Sequence, residues 1–117
     1  MASDARAIAT AYFDAWKAKD FAAFRALLAD DVEFVGPLAQ LDNADDCVNG
    51  IKGMSEMVTE IVVHKLVADG PDAITWFDLH VKGGITLPTA NWSHIEKGKI
   101  TRIRVTFDPR PIAPPGR

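Results

Sequence analysis

The second half of the chain confines the fold more than any other feature. From residue 63 to residue 108, apolar and polar residues alternate, and the alternation stops only at Gly70-Pro71, Gly83-Gly84 and Lys97-Gly98. Alternation with a period of two is the signature of strands, and glycine-containing breaks of two or three residues are hairpin turns. Strands are therefore expected at 63–69, 72–82, 85–96 and 99–108, joined in sequence as an antiparallel meander. The first half reads differently. Ile8, Tyr12 and Trp16 recur at helical spacing within residues 4–18, with Ala5 and Phe13 beside them and Ser3 or Asp4 as cap. Asp20 can cap a second helix that buries Phe21, Phe24, Leu27 and Leu28. Val32–Val35 is a short strand stopped by Gly36-Pro37. Residues 37–49 read as a loop, and a third helix is expected over 51–62, burying Met54, Met57 or Val58, and Ile61.

Helices segregated ahead of a meandering sheet make an α+β fold. Three N-terminal helices laid on the concave side of a curved antiparallel sheet would leave a cone-shaped cavity between the two layers. The 117 residues suffice for one domain, expected over 1–110. The final PRPIAPPGR is rich in proline, and 111–117 is expected to be an extended tail.

Bulk properties exclude several classes. The net charge is −3 and no basic stripe is present, which argues against a nucleic-acid partner. No apolar run approaches a membrane span, and the N-terminus lacks a basic-then-apolar leader pattern. Cys47 is the only cysteine, so no internal disulfide can form, although a bridge between subunits could. These features suit a cytoplasmic protein. His64, His80 and His94 do not form a zinc set, and Asp42, Asp45 and Asp46 lack the alternating ligands and glycine of a calcium loop. No metal and no cofactor are expected.

Hairpin arithmetic assigns faces. A two-residue Gly83-Gly84 turn pairs His80 with Leu87, Asp78 with Thr89 and Trp76 with Asn91. A three-residue Glu96-Lys97-Gly98 turn then adds Ile103, Val105 and Phe107 to that face, and the face is expected to lie under the helices. Asp78 and His80 would form an acid/base pair there, because a carboxylate in an apolar cone resists ionisation and suits a base near neutral pH. Tyr12 could supply an oxyanion donor from the first helix. The expected ligand contacts are Trp16, Phe34, Met54, Met57, Trp76, Leu87, Thr89, Asn91, Ile103, Val105 and Phe107. The opposite face, with Phe77, Leu79, Val81 and Trp92, is too apolar to be fully wet. It would pack against a second subunit, sheet to sheet, as a homodimer.

The stretches AYFDAWKAKDFAAF at 11–24, LLADDVEF at 27–34, NGIKGMSEMV at 49–58 and GKITRIRVTFDP at 98–109 carry a resemblance. Over about residues 4–110 the chain resembles the nuclear transport factor 2-like superfamily, a cystatin-type cone, and within it the SnoaL-like group. The group includes isomerases, cyclases, dehydratases, epoxide hydrolases and non-enzymatic binders. The ketosteroid isomerase pattern places its tyrosine at Tyr12, its base at Gly36 and its second acid near Ala90 or Asn91. The limonene-1,2-epoxide hydrolase pattern retains one of its acids at Asp78. Its arginine, second acid, tyrosine and asparagine positions hold Trp76, Val105, Phe34 and Gly36. SnoaL-type polyketide cyclases, which use pocket Asp/His groups, are compatible with Asp78 and His80. The resemblance implies a cofactor-free isomerase, cyclase or hydrolase acting on a small apolar carbonyl-bearing or polycyclic molecule. The alternative is a non-catalytic small-molecule-binding or dimerising accessory domain.

Overall fold

The computed structural model describes residues 4–112, so the expected cap at Ser3 and the last five residues of the expected tail lie outside the described residues. The order is α1 (Ala5–Ala18), α2 (Phe21–Ala26), β1 (Leu28–Val35), β2 (Gln40–Leu41), α3 (Ala44–Ser55), β3 (Val58–Asp69), β4 (Asp72–Val81), β5 (Ile85–Glu96) and β6 (Lys99–Thr106). One six-stranded sheet has the order β2-β1-β6-β5-β4-β3. The four long strands form the expected meander, and β1 joins β6 in parallel. The α+β class, with helices packed on a curved sheet, is as expected.

Asp4 caps α1 by accepting the Ala7 N–H, and Asp20 caps α2 by accepting the Ala23 N–H. Each carboxylate satisfies a helix donor that has no partner within the helix. The apolar stripe of α1 turns Tyr12, Phe13 and Trp16 onto the sheet. Phe13 meets Phe77 edge-on at 4.8 Å between ring centroids, and Tyr12 lies 4.7 Å from Phe24. The first contact sets the distance between α1 and the sheet, and with it the room left beneath α1, while the second holds α2 against α1.

The segment expected as a loop over 37–49 is half helix. Asn43 accepts the Asp46 N–H at 2.8 Å, and Asp45 and Asp46 occupy the first turn of α3, where negative charge is favoured. The acidic cluster is thus a helix start. The third helix begins seven residues earlier than expected and stops at Ser55. The run Val58-Thr59-Glu60-Ile61-Val62-Val63 is rich in β-branched residues and extends β3 instead.

The faces of β4 differ from expectation. Val81 pairs with Ile85, so Lys82, Gly83 and Gly84 together make a three-residue connection, with both glycines at positive φ. The register becomes Leu79 with Leu87, Phe77 with Thr89 and Thr75 with Asn91. A slip of one residue exchanges the two faces of a strand. Ala73, Thr75, Phe77, Leu79 and Val81 are buried, whereas Trp76, Asp78 and His80 lie on the outer face. Energetics decide between the registers. Burying Phe, Leu and Val side chains gains about 1.5–3 kcal/mol each, while burying a carboxylate and an imidazole costs several.

The turn before β6 also differs, without a change of face. Lys97 and Gly98 form a two-residue turn, and a register shift between His94 and Ile95 restores the expected parity. Ile103 pairs with Ser93 and Val105 with Asn91.

Candidate functional site

A cavity of about 400 Å³ lies between the helices and the sheet. Its roof is Tyr12 and Trp16 of α1 with Cys47, Met54 and neighbouring residues of α3. Its floor is Phe77, Leu79, Thr89, Asn91 and Val105, and Phe34, Met57 and Phe107 form its sides. Pro37, Leu38 and Ala39, after the end of β1, reach its edge together with Asn49 and Gly50.

Of the residues singled out from sequence, Tyr12, Trp16, Phe34, Met54, Met57, Thr89, Asn91, Val105 and Phe107 line this space. Leu87 and Ile103 face the same side of the sheet but are packed into the core, each about 1% exposed. Trp76 is outside and about half exposed. Sequence reasoning missed Phe77 and Leu79, since the slipped register turned them outward. The charge-free alternation Ala73-Thr75-Phe77-Leu79-Val81, beside the charge-bearing Trp76-Asp78-His80, is the signal that identifies the inner set.

The expected acid/base pair is not assembled. Asp78 Oδ2 lies 2.8 Å from His64 Nε2 on the outer face, and His80 Nδ1 lies 2.9 Å from the Thr86 hydroxyl. The sheet itself separates both groups from the cavity. Among the described residues, no Asp, Glu, Lys, Arg or His lines the cavity. No cluster of three metal-ligating side chains occurs among the described residues.

The polar groups of the cavity are neutral and locally organised. The Ser93 hydroxyl donates to Asn91 Oδ1 at 3.0 Å, in a buried contact that fixes which end of the amide is which. The Asn91 amide nitrogen is left as a donor beside Tyr12, and its influence moderates the pKa rise that burial imposes on the phenol. Burial dominates, and the phenol stays protonated well above its ordinary range. Its own O–H remains available to an acceptor in the cavity. The Thr89 hydroxyl is spent on the Leu87 carbonyl at 2.9 Å, and Trp16 Nε1 donates to Ser55 Oγ at 3.2 Å. The Tyr12–Asn91 pair is thus the polar feature of the cavity interior, with Asn49 at the edge.

Cys47 also borders the cavity. Burial first, and then the charges of Asp46 and Asp42, push its thiol up to about 11. The thiolate is the reactive form, so alkylation by iodoacetamide at pH 7.5 should run on the order of 30–100-fold slower than for an unperturbed thiol, and should accelerate steeply as the pH is raised towards 11. Alkylation at the ordinary thiol rate would show that the α3 side of the cavity is open to water.

Comparison with known proteins agrees with this architecture. The SnoaL-like domain family matches residues 9–103. No curated protein matches the chain by sequence. Among solved structures, a nuclear transport factor 2-like protein of unknown function from Cytophaga hutchinsonii ATCC 33406 is 28% identical, with a TM-score of 0.83 over 96% of each chain. A proposed ketosteroid isomerase from Kribbella flavida DSM 17836 is 27% identical, with a TM-score of 0.82 over 97% of this chain and 84% of that one. An LEH-like epoxide hydrolase from M. tuberculosis shares the fold at 22% identity, with a TM-score of 0.76 over 89% of this chain and 82% of that one. With four-fifths of its length matched and its helices and curved sheet in the same arrangement, the chain belongs to the SnoaL-like family of the nuclear transport factor 2-like superfamily.

Proposed function

We propose that this protein binds a small, uncharged, largely apolar molecule in the cone, through a single oxygen acceptor held by the Tyr12 hydroxyl. The observation that carries this reading is the composition of the cavity wall, which among the described residues is uncharged and mostly apolar, with a neutral, donor-presenting Tyr12–Asn91 pair in its interior and Asn49 at its edge. A charged ligand would leave water without a counter-ion, at a cost of several kcal/mol. An apolar pocket with a few placed polar groups is the usual form of a small-molecule site. Acid/base catalysis by Asp78 and His80 has no support in this geometry, because both groups lie across the sheet from the cavity. Of the two functions weighed from the sequence, binding is therefore the better supported.

The polarity of the site gives the ligand class. Ser93 donates to Asn91, Asn91 stands beside Tyr12 with its amide N–H as a donor, and the Tyr12 O–H ends the chain as a further donor. A ketone, ester or ether oxygen completes this chain, whereas an ammonium group does not.

The test uses matched probes: a polycyclic ketone, the parent hydrocarbon and the corresponding carboxylate, titrated calorimetrically into the wild type and into Tyr12→Phe. The ketone is expected to bind most tightly. Tyr12→Phe should weaken the ketone by about 3–10-fold, the worth of one hydrogen bond, and leave the hydrocarbon unchanged. Tightest binding of the carboxylate, or equal ketone affinity in both proteins, would overturn the reading.

A further inference from the structure

A second recess, of about 300 Å³, lies where the last turn of α1 and the end of α3 meet the start of β3. A bulge in β3 between Val58 and Glu60 bends the strand at this point. Trp16 borders both this cleft and the cone, and its ring separates them. The two spaces differ in chemistry. The cone wall carries no charge among the described residues, whereas Lys17 and Lys19 border the cleft. Glu60 borders it too, but Glu60 pairs with His80 and shares its outer face, so the carboxylate is directed to the other side of the sheet.

We propose that this cleft is a second binding site, for a small oxyanion that carries an apolar group. Lys17 and Lys19 supply the positive charge. The ion pairs among the described residues involve Arg25, His64, His94, Arg104 and Arg110, and neither lysine takes part in one. The end of a helix attracts cations in its own right. At the end of α1, however, the backbone already meets the exposed carbonyls: the Lys19 N–H donates to Ala15 and Trp16, and the Asp20 N–H donates to Ala15. The two ammonium groups are left to meet an anion.

Ser55 supplies the fixed point. It is 5% exposed, and its Oγ accepts the Trp16 indole N–H at 3.2 Å. Its own proton makes no hydrogen bond among the described residues, so the hydroxyl has a donor to give. A buried donor without an acceptor is destabilising, and an anion oxygen relieves it. Thr59 does not compete for this role, because its hydroxyl donates to the His80 carbonyl at 3.0 Å. Val58, Ile61 and the Trp16 ring form the apolar part of the wall. Exposed lysines alone attract any anion weakly. The buried hydroxyl and the apolar wall are what select an oxyanion attached to a hydrophobic group.

The proposal is independent of the cone and its ligand, and calorimetry on the full chain tests it. The probes are phenyl phosphate, benzoate, benzyl alcohol and inorganic phosphate. The tighter of the two aromatic anions is expected to bind with a dissociation constant on the order of 1 mM or below, and its identity tells whether the site favours phosphates or carboxylates. Benzyl alcohol, which lacks the charge, and inorganic phosphate, which lacks the ring, should each bind at least about fivefold more weakly. Lys17→Gln/Lys19→Gln should weaken the aromatic anion by about fivefold or more, whereas Tyr12→Phe, in the cone, should leave it unchanged. Both lysines are exposed, and circular dichroism reports that the variant is folded. Fluorescence locates the ligand: in Trp76→Phe/Trp92→Phe protein the remaining tryptophan is Trp16, and its emission should change as the anion binds. No binding of either aromatic anion at about 10 mM, equal affinity for benzyl alcohol, unchanged affinity in the lysine variant, or a silent Trp16 would each overturn the proposal.

Discussion

Phe77→Ala is expected to lower the unfolding free energy by about 3–5 kcal/mol, and His80→Ala to change it by about 1 kcal/mol or less. The two residues sit three apart on one strand, and they measure opposite faces of it. Phe77 is about 1% exposed and meets Phe13 at 4.8 Å and Trp16 at 6.1 Å between ring centroids. Its removal deletes apolar burial and leaves a void beneath α1, where the rings that hold the helix to the sheet cannot close the gap. His80 keeps one partly solvated contact with the Thr86 hydroxyl. Urea denaturation of both variants separates the registers outright. If Asp78 and His80 faced the cavity, as a two-residue glycine turn requires, the costs would be reversed in order. Comparable losses for the two variants would contradict the register described above.

That experiment bears on how much of the molecule was legible in the sequence. The strands announced themselves, because alternation and glycine breaks are local signals and β4, β5 and β6 fall within two residues of the expected bounds. The faces of β5 and β6 came out as expected, since the register shift between His94 and Ile95 offsets the shorter turn and leaves Leu87, Thr89 and Asn91 on the face of Val105. The face of β4 was not readable from the turn. Both glycines at 83 and 84 adopt positive φ, as a two-residue turn demands, yet Lys82 joins the connection. Turn chemistry constrains the glycines, while core burial chooses the register. The same applies to 37–49. Its aspartates read as a solvated loop until Asn43 is recognised as a cap, with Asp45 and Asp46 in the helical turn that follows. Gly50 within α3 hid the first half of the helix, since glycine weakens an interior position by about 1 kcal/mol and only packing restores it.

The cavity itself was legible in outline and wrong in its chemistry. Tyr12, Asn91 and most of the apolar wall were identified, because each lies on an element whose inward face is unambiguous. The carboxylate and imidazole were brought in by a single slipped residue. Removing them changes the site from one that could exchange protons to one that presents a neutral donor. Gly36 and Val105, the positions at which the resemblance placed a base and an acid, agree with this change: both line the cavity here without a titratable group.

Asn91→Asp is expected to make stability strongly pH-dependent. The side chain is 2% exposed, and no cationic residue lines the cavity among the described residues. A carboxylate there loses its hydration and gains no counter-ion, so its folded-state pKa rises above the unfolded value near 4 by about 3 units or more. The sign follows from proton counting. Below pH 4 both states bind the proton, and the protonated carboxyl can still accept from Ser93 and donate to Tyr12, so the variant is within about 1 kcal/mol of wild type. As the pH rises, the unfolded chain releases the proton first while the folded chain retains it. Stability then falls by up to about 1.4 kcal/mol per pH unit until the folded group ionises, a loss of about 4 kcal/mol by pH 7. Urea denaturation of variant and wild type between pH 4 and pH 8, taken as a difference, reads this slope directly. A flat difference would mean that water or a positive charge reaches the cavity floor, and a site of that kind would suit the charged ligands that the neutral Tyr12–Asn91 pair disfavours.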